Sequence, residues 1–337
     1  MKSGNLSSHA PKYENSTKTH FSKIINIDYF EDRTMNTASL PRKILFGTDW
    51  WTDCDDTAAL RLVCRYAKQD IWQPMGVILN AAAPYAAASV KAVLIDEGFG
   101  DVPIGIDLTA NDYGGRPPYQ YAVASAAGTT DIRNEDCENG VSLYRRLLTD
   151  ADDGTVELLE VGYLPVLAGL LTSEPDEASV LSGIELVRAK VSHIWCMGGN
   201  WERDGIGQEN NFCRNRRASE AAHTVLSLCP IPMTFLGYEI GEDVIAHPPL
   251  NSTDLIRIAF DTHGSSHGRC AWDPMLVHLA AFADPTAAGY TTVNGIAAVN
   301  RENGENHFFV TTDGQHRYVK KKHEPVWYTS QIDKMLQ

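Results

Sequence analysis

Residues 44–56 read Ile44-Leu-Phe-Gly-Thr-Asp49-Trp-Trp-Thr-Asp53-Cys-Asp55-Asp56, an apolar run followed by four aspartates within eight residues. The apolar part is typical of a short buried strand. Carboxylates this close repel one another, and the pKa of each rises unless a cation lies among them. Ca²⁺ takes about 6–8 oxygen ligands and fits such a loop. Capping of the next helix by Asp55 or Asp56 would explain one aspartate but not four. The loop therefore indicates a metal site.

The chain beyond this loop alternates between apolar runs and helical patterns. Further strands are expected at 75–79, 102–106, 156–161, 191–196 and 232–236, and helices after Asp56 and at 85–97, 164–171, 218–228 and 273–282. This alternation predicts an α/β fold, a mostly parallel open sheet with helices on both faces and a Rossmann-like core. Segments 292–299, 307–311 and 314–319 predict a small C-terminal hairpin. Ligands of such sheets bind at the carboxyl ends of the strands, where the acidic loop lies.

Composition bounds the domain organisation and the class of partner. Residues 1–42 are polar without a sustained period and predict a flexible N-terminal extension, followed by a single domain over 43–337. The formal net charge of −14 argues against a nucleic-acid partner and favours a small molecule. Seven scattered cysteines without a C-x-x-C pair argue against a disulfide framework or structural zinc site. We find no eighteen-residue apolar run and no secretory h-region, so we expect no membrane partner and a cytoplasmic location.

The spacing Asp49-x-x-x-Asp53-x-Asp55-Asp56 after a strand resembles the N-terminal signature of the inosine–uridine type nucleoside hydrolases. It is similar to the variant with two extra residues between the strand-end aspartate and the aspartate pair. The resemblance implies that Asp49 binds Ca²⁺ and accepts a proton from the attacking water. It also implies that Asp55 holds the ribose and that Asp56 ligates the metal. Asp53 belongs to the longer variant, and its role stays open.

Later segments follow the same family pattern in order. Asn80 ends a strand where the family places a sugar-binding asparagine, and Val161 stands where it donates a carbonyl to the metal. Asp273, in Trp272-Asp-Pro, matches its late metal ligand. Asn80 and Asp273 each have a simpler explanation, since Asn80 could be a turn former and Asp273 a helix N-cap with proline at the first helical position.

Two further segments resemble the ribose side of the family's site. Met197-Gly-Gly is similar to its Met-Gly-Gly turn, and Glu209-x-Asn211 to its ribose-binding Glu-x-Asn. Taken alone, the first is an ordinary turn and the second a pair of solvated loop residues. As a set, they imply Ca²⁺-dependent hydrolysis of ribonucleosides or related N-ribosides in purine or pyrimidine salvage, by a homodimer or homotetramer.

One position departs from the family pattern. Many members carry a histidine directly before the late metal aspartate, where it acts as the acid for the departing base, but this chain has Trp272. An indole N–H is not a useful catalytic acid. We therefore expect leaving-group activation by aromatic stacking, with Trp272 as a catalytic residue. Candidate helpers are Trp50, Trp51 and Trp201 for stacking, and His263 or His267 as an acid.

Two other functions stay open at this level. Asp53-Cys-Asp55-Asp-Thr57 fits the D-x-D-x-T motif of haloacid-dehalogenase-like phosphatases, but that motif needs its first aspartate at the strand end. A non-catalytic riboside-binding protein of the same fold is the second alternative. Retention of all the predicted metal ligands argues against it.

Overall fold

The computed structural model describes residue 1 and residues 40–202 and 205–337. Pro41–Gln337 forms one compact unit. The flexible extension expected over residues 1–42 falls almost wholly outside the described residues, whereas the strand at its end already begins at Arg42.

A ten-stranded sheet forms the centre of the unit, in the order β11-β10-β12-β7-β6-β5-β1-β2-β3-β4. Only β10 runs against the other strands, so the sheet is mostly parallel, as the sequence predicts. A separate two-stranded sheet pairs β8 with β9. The strands are β1 Arg42–Thr48, β2 Trp72–Leu79, β3 Ile104–Ile106, β4 Glu138–Asn139, β5 Val156–Glu160, β6 Val191–Met197, β7 Met233–Leu236, β8 Ile245–Ala246, β9 Arg269–Cys270, β10 Tyr290–Val299, β11 Asn306–Val310 and β12 His316–Lys321.

Helices cover both faces of this sheet. They are α1 Asp55–Ala67, α2 Ala86–Asp96, α3 Gln120–Ala127, α4 Gly140–Thr149, α5 Pro165–Leu171, α6 Gly183–Lys190, α7 Asn210–Cys213, α8 Arg216–Leu228, α9 Tyr238–Gly241, α10 Leu255–His263, α11 Trp272–Phe282 and α12 Pro325–Leu336. Among the described residues, we find no helix with both the length and the apolarity needed to cross a bilayer.

The central strands are buried on both faces, which explains their continuous apolar sequences. All five residues of β5 are buried, and one hydrophobic cluster lies on each side of the sheet. Parallel sheets covered by crossover helices need such runs, because neither face meets water. Helix α11 packs against α1, so the late Asp273 segment lies beside the acidic loop.

The C-terminal region contains the expected hairpin, since β10 and β11 pair in antiparallel, but this hairpin belongs to the main sheet. Strands β10, β11 and β12 extend the main sheet, because β12 pairs in parallel with β7 through His316 and Met233. Seven helices that were not predicted from the sequence also appear: α3, α4, α6, α7, α9, α10 and α12.

Candidate functional site

The carboxyl ends of the central strands meet at one edge of the sheet and form the walls of a cavity. Strand β1 lies between β5 and β2, so the chain crosses over to opposite sides at this point. Asp49 follows β1, Val161 follows β5 and Met197 ends β6. All three line a cavity of about 470 Å³. Crevices at such switch points are the usual ligand sites of open α/β sheets.

Three buried carboxylates meet on one wall of this cavity. The oxygens of Asp55, Asp56 and Asp273 lie within 4.8 Å of one another. The backbone N–H of Asp273 donates to Asp55 Oδ2 at 3.1 Å, and Thr48 Oγ1 donates to Asp56 Oδ1. Burial raises the pKa of all three carboxyls well above the usual range, and neighbouring aspartates add to the rise. Among the described residues, no basic side chain pairs with any of the three.

Asp49 and Val161 complete this wall. The Trp51 backbone N–H donates to Asp49 Oδ1 at 3.0 Å. Burial raises the Asp49 pKa to about 7, and the charges of Asp53 and Asp55 add to the rise. The Val161 carbonyl accepts a hydrogen bond from Asn211 Nδ2 at 2.9 Å, which leaves its second lone pair available.

A glycine permits the close approach of the two strand ends. A Cβ at Gly162 would lie 2.2 Å from the Asp49 nitrogen, so no larger residue fits there without a shift of the acidic loop.

The two tryptophans of the acidic loop fix its backbone. Trp50 has φ of +47°, a conformation that bulky residues rarely adopt. Its indole N–H donates to Ser89 Oγ at 2.8 Å. Gln120 Nε2 donates to the carbonyls of Trp50 and Trp51 at 2.8 and 2.6 Å. These contacts hold the acidic loop in place.

Asp53 does not join the carboxylate cluster. Its two oxygens accept hydrogen bonds from Arg269, with an ion-pair distance of 2.5 Å. Burial opposes its ionisation, but the hydrogen bonds and charge of Arg269 lower its pKa overall. The sequence left the role of Asp53 open, and the structure shows Asp53 paired with Arg269 at the cavity rim. Since β1 ends at Thr48, Asp53 also lacks the strand-end position that the phosphatase motif needs.

The Glu209-x-Asn211 segment also lines the cavity, where Asn211 contacts the Val161 carbonyl. Glu209 accepts hydrogen bonds from the backbone N–H groups of Gly199 at 3.1 Å and Asn211 at 2.7 Å. Gly199 belongs to the Met-Gly-Gly turn and has φ of +80°, which suits glycine. Burial raises the pKa of Glu209 to about 7. Both side chains line the cavity, although they are buried rather than solvated.

Asn80 is placed differently from the other predicted residues. It is fully buried at the end of β2 and does not line the cavity. Its Nδ2 lies 3.5 Å from Glu160 Oε2, and its Oδ1 has no hydrogen-bond partner among the described residues. A direct contact of Asn80 with a sugar stays a prediction.

Trp272 lies on the cavity wall, stacked on Tyr238. The ring centroids are 5.3 Å apart at 28°, and the Trp272 indole N–H donates to the Tyr238 carbonyl at 2.7 Å. The Arg269 guanidinium lies 5.5 Å from the Trp272 ring centroid. Both aromatic rings line the cavity, so a flat group could stack there.

The other proposed helpers lie outside the cavity lining, unlike Trp272. Trp51 anchors the loop through its indole N–H, which donates to Gly114 O at 2.6 Å. Trp50 and Trp201 are fully buried, and Trp201 packs in an aromatic cluster around Phe235. His263 bonds Ser265 Oγ and His267 lies in an exposed turn.

Several cavity residues were not anticipated from the sequence, and four of them have large side chains. They are Tyr163, Arg214, Tyr238 and Arg269. No local pattern marks them, because each reaches the cavity through a tertiary contact. Tyr163, for example, stacks on Tyr113 with centroids 3.7 Å apart.

The donors on the acidic wall fit a hard divalent cation. Asp49, Asp56, Asp273 and the Val161 carbonyl offer only oxygen atoms, which suit Ca²⁺ or Mg²⁺ better than zinc. The raised carboxyl pKa values reflect buried negative charge without a counter-charge, and a bound cation would supply one.

Comparison with known proteins places this geometry in a known fold. No protein-family model matches the sequence, and no curated protein matches it. A plant nucleoside hydrolase is similar in structure, with a TM-score of 0.64, 16% identity, and coverage of 88% of this chain and 99% of that one. The inosine-uridine preferring nucleoside hydrolase from Bacillus anthracis is also similar in structure, with a TM-score of 0.58 and 15% identity. The match covers 87% of this chain and 99% of that one. This chain has the nucleoside hydrolase fold.

A third structure widens the range of proteins that share this fold. It is the type III effector protein XopQ complexed with adenosine diphosphate ribose, with a TM-score of 0.61, 15% identity, and coverage of 89% of this chain and 94% of that one. Identities this low establish the fold alone, so the activity is argued from the site.

Proposed function

We propose that this protein is a Ca²⁺-dependent N-ribohydrolase that splits ribonucleosides or related N-ribosides into ribose and the free base. The observation that carries the proposal is the buried set of carboxylates Asp55, Asp56 and Asp273, which has no basic partner among the described residues. Such a set at the carboxyl ends of parallel strands suits a cation and a polyol together.

The acidic wall would perform the sugar half of the reaction. Asp49, Asp56, Asp273 and the Val161 carbonyl would hold Ca²⁺, which supplies an acidified water and binds sugar hydroxyls when present. Asp49 would accept the proton of the attacking water as the sugar develops oxocarbenium character. The ribose hydroxyls would donate hydrogen bonds to the carboxylates of Asp55 and Glu209. The side-chain amide of Asn211 would complete the hydrogen bonds to these hydroxyls. A site built to bond hydroxyls discriminates strongly against sugars that lack them.

The aromatic wall would serve the leaving group. Trp272 and Tyr238 present a stacked pair beside the sugar position, while none of the described histidines lines the cavity. We therefore propose that stacking orients the departing base and stabilises its developing charge. Bases that leave readily without protonation should be the better substrates.

A non-catalytic riboside-binding role is the second candidate. It is favoured by the lack of a histidine acid in the described cavity and by the XopQ complex with adenosine diphosphate ribose. Both candidates would bind a riboside, but only the hydrolase would turn it over.

The test is a reducing-sugar assay over a nucleoside panel, with added Ca²⁺ and with a chelator. Calorimetry on the same compounds measures binding. Ribose release that requires Ca²⁺ supports the hydrolase. Saturable binding without release over days supports the binding protein. Neither binding nor release of any N-riboside contradicts both.

A further inference from the structure

Arg214 places an unpaired positive charge on the cavity wall. It directly follows helix α7 and lines the cavity at an exposed position. Its Nε donates to the Tyr113 carbonyl at 2.5 Å, and its Nη2 donates to the Gly114 carbonyl at 3.2 Å. Neither carbonyl carries a negative charge. Among the described residues, no carboxylate lies within ion-pair distance of this guanidinium.

Two other arginines, unlike Arg214, are paired with carboxylates. Arg269, whose guanidinium lies over the Trp272 ring, is paired with Asp53, and Arg217, three residues beyond Arg214, is paired with Asp112. The chain has 43 acidic and 29 basic residues, so carboxylates are abundant around an arginine. A guanidinium left without one beside a cavity is suited to an anion on the ligand. Its planar N–H donors match phosphate oxygens particularly well.

The position of Arg214 identifies which part of a riboside would carry that anion. This step rests on the proposed function, in which the ring hydroxyls face the acidic wall and C1 faces Trp272. Arg214 lies three residues beyond Asn211, beside the ribose-binding segment. It also lies beside Gly115, where an added Cβ would be 3.3 Å from Arg214 Nη2. The substituent of ribose that remains for this side is the one on C5.

The geometry points to a 5′-phosphorylated N-riboside as the substrate class, with Arg214 as the residue that binds its phosphate. The hydroxyls then meet the acidic wall while the phosphate stays at the exposed rim, beside Arg214. Arg214 thereby selects the substrate and takes no part in breaking the glycosidic bond.

Kinetics on a matched pair of substrates test this assignment. The ratio of kcat/KM for a nucleoside 5′-monophosphate to that for the parent nucleoside is measured in wild type, Arg214→Gln and Arg217→Gln. A charged hydrogen bond contributes about 1.5–3 kcal/mol, so Arg214→Gln should lower the ratio roughly 10–100-fold. Arg217 fastens the same loop through Asp112 and Thr109 but does not line the cavity. Its variant should keep the wild-type ratio.

Two results overturn the assignment. One is a wild-type ratio below one, and the other is an equal loss on both substrates in Arg214→Gln, which is the pattern of a purely structural loop contact. Arg214→Lys, which keeps the charge, should restore part of the ratio.

A binding measurement decides the question even without turnover. Wild type should bind ribose 5-phosphate at least tenfold more tightly than ribose, and Arg214→Gln should lose that difference. Equal affinities of wild type for the two sugars overturn the inference. Failure of all hydrolysis with phosphate-selective binding instead contradicts the proposed activity and leaves the phosphate assignment supported.

Discussion

The backbone N–H of Asp273 donates to Asp55 Oδ2 at 3.1 Å, which joins two segments that lie 218 positions apart in the chain. This bond connects the first turn of α11 to the acidic loop at the start of α1. It brings a carboxylate of each helix to within 4.8 Å of the other. The acidic wall therefore forms only when the whole domain is folded, and a cation bound there should stabilise the fold.

We predict that calcium binding depends on this wall. Asp273→Asn should weaken Ca²⁺ binding by at least roughly 10–100-fold, since even outer partners of metal sites have effects of that size. Asp53→Asn should weaken it less than tenfold, because Asp53 is bound to Arg269 and lies outside the cluster of three. Titration calorimetry measures both. Equal losses in the two variants would show that the ligand set is assigned wrongly.

Saturating Ca²⁺ should raise the melting temperature of the wild type. A ligand at a hundred times its Kd stabilises a protein by about 2.7 kcal/mol, provided that it does not bind the unfolded chain. Thermal scans with Ca²⁺ and with chelator give the shift, and Asp56→Asn serves as the comparison. A wild-type melting temperature that ignores Ca²⁺ at millimolar concentration would count against a resident ion.

Trp272 should matter through its aromatic face. Trp272→Ala should lower kcat/KM on the best substrate roughly 10–100-fold, since stacking a base on an aromatic ring contributes about 1–3 kcal/mol. Trp272→Phe should retain most of the activity. Trp327→Ala, at a partly buried position on α12 away from the cavity, is the control. Full kcat in Trp272→Ala would eliminate the stacking role.

The buried His278 should make stability depend on pH. Burial lowers the pKa of His278 to about 4, against 6.5 for the free side chain. The unfolded chain therefore takes up a proton first as the pH falls, and about 3 kcal/mol of stability is lost between pH 6.5 and 4. The buried carboxyls with raised pKa values, such as Glu209, act in the opposite direction, so the effect must be read as a difference.

His278→Gln isolates this contribution. Glutamine retains a partner for the Tyr66 hydroxyl, which lies 2.6 Å from His278 Nδ1, but it does not titrate. Urea unfolding between pH 8 and 4 should show a smaller stability loss in His278→Gln than in wild type. His267→Gln, at an exposed turn, should follow the wild type. Parallel curves for wild type and His278→Gln would refute the assignment.

Gln120 should hold the acidic loop. It donates from one amide to two loop carbonyls, and Gln120→Leu leaves both acceptors buried without that donor. Each unpaired buried group costs about 1–3 kcal/mol. We expect the free energy of unfolding to fall by that order and Ca²⁺ affinity to fall with it. Gln69→Ala, at an exposed position, should change neither quantity.

Sequence patterns predicted the parts of the fold that local apolar periodicity encodes. The strands that end at Thr48, Glu160 and Met197 are marked by their buried runs, and the acidic loop by its charge density. The C-terminal hairpin was predicted, but its attachment to the main sheet was not, because the pairing of β12 with β7 joins residues 83 positions apart, His316 and Met233. Helix α4 was missed although its apolar residues recur at helical spacing, with Leu143, Tyr144 and Leu148 buried.

The candidate site likewise contains residues that the sequence could predict and residues that it could not. The residues of the acidic wall and the Glu209-x-Asn211 segment could be named from the resemblance, and the structure gathers them around one cavity. Tyr238 and Arg269 could not be named from the sequence. Tyr238 is placed by its contact with Trp272, and Arg269 by its ion pair with Asp53, which lies 216 positions away in the chain. The contacts that bring Tyr238 and Arg269 to the cavity are properties of the tertiary structure.

The most direct test of the central claim is the stoichiometry of products from one N-riboside. Wild type, Asp49→Asn and the exposed Asp261→Asn are incubated with Ca²⁺ or chelator, and ribose and base are quantified together by chromatography. We predict equal amounts of ribose and base from wild type and Asp261→Asn in Ca²⁺. In Asp49→Asn or with chelator we predict a loss of at least roughly a hundredfold, as expected for removal of a general base. Product formation that is unchanged in Asp49→Asn, or the absence of ribose in every Ca²⁺ sample, would contradict the claim.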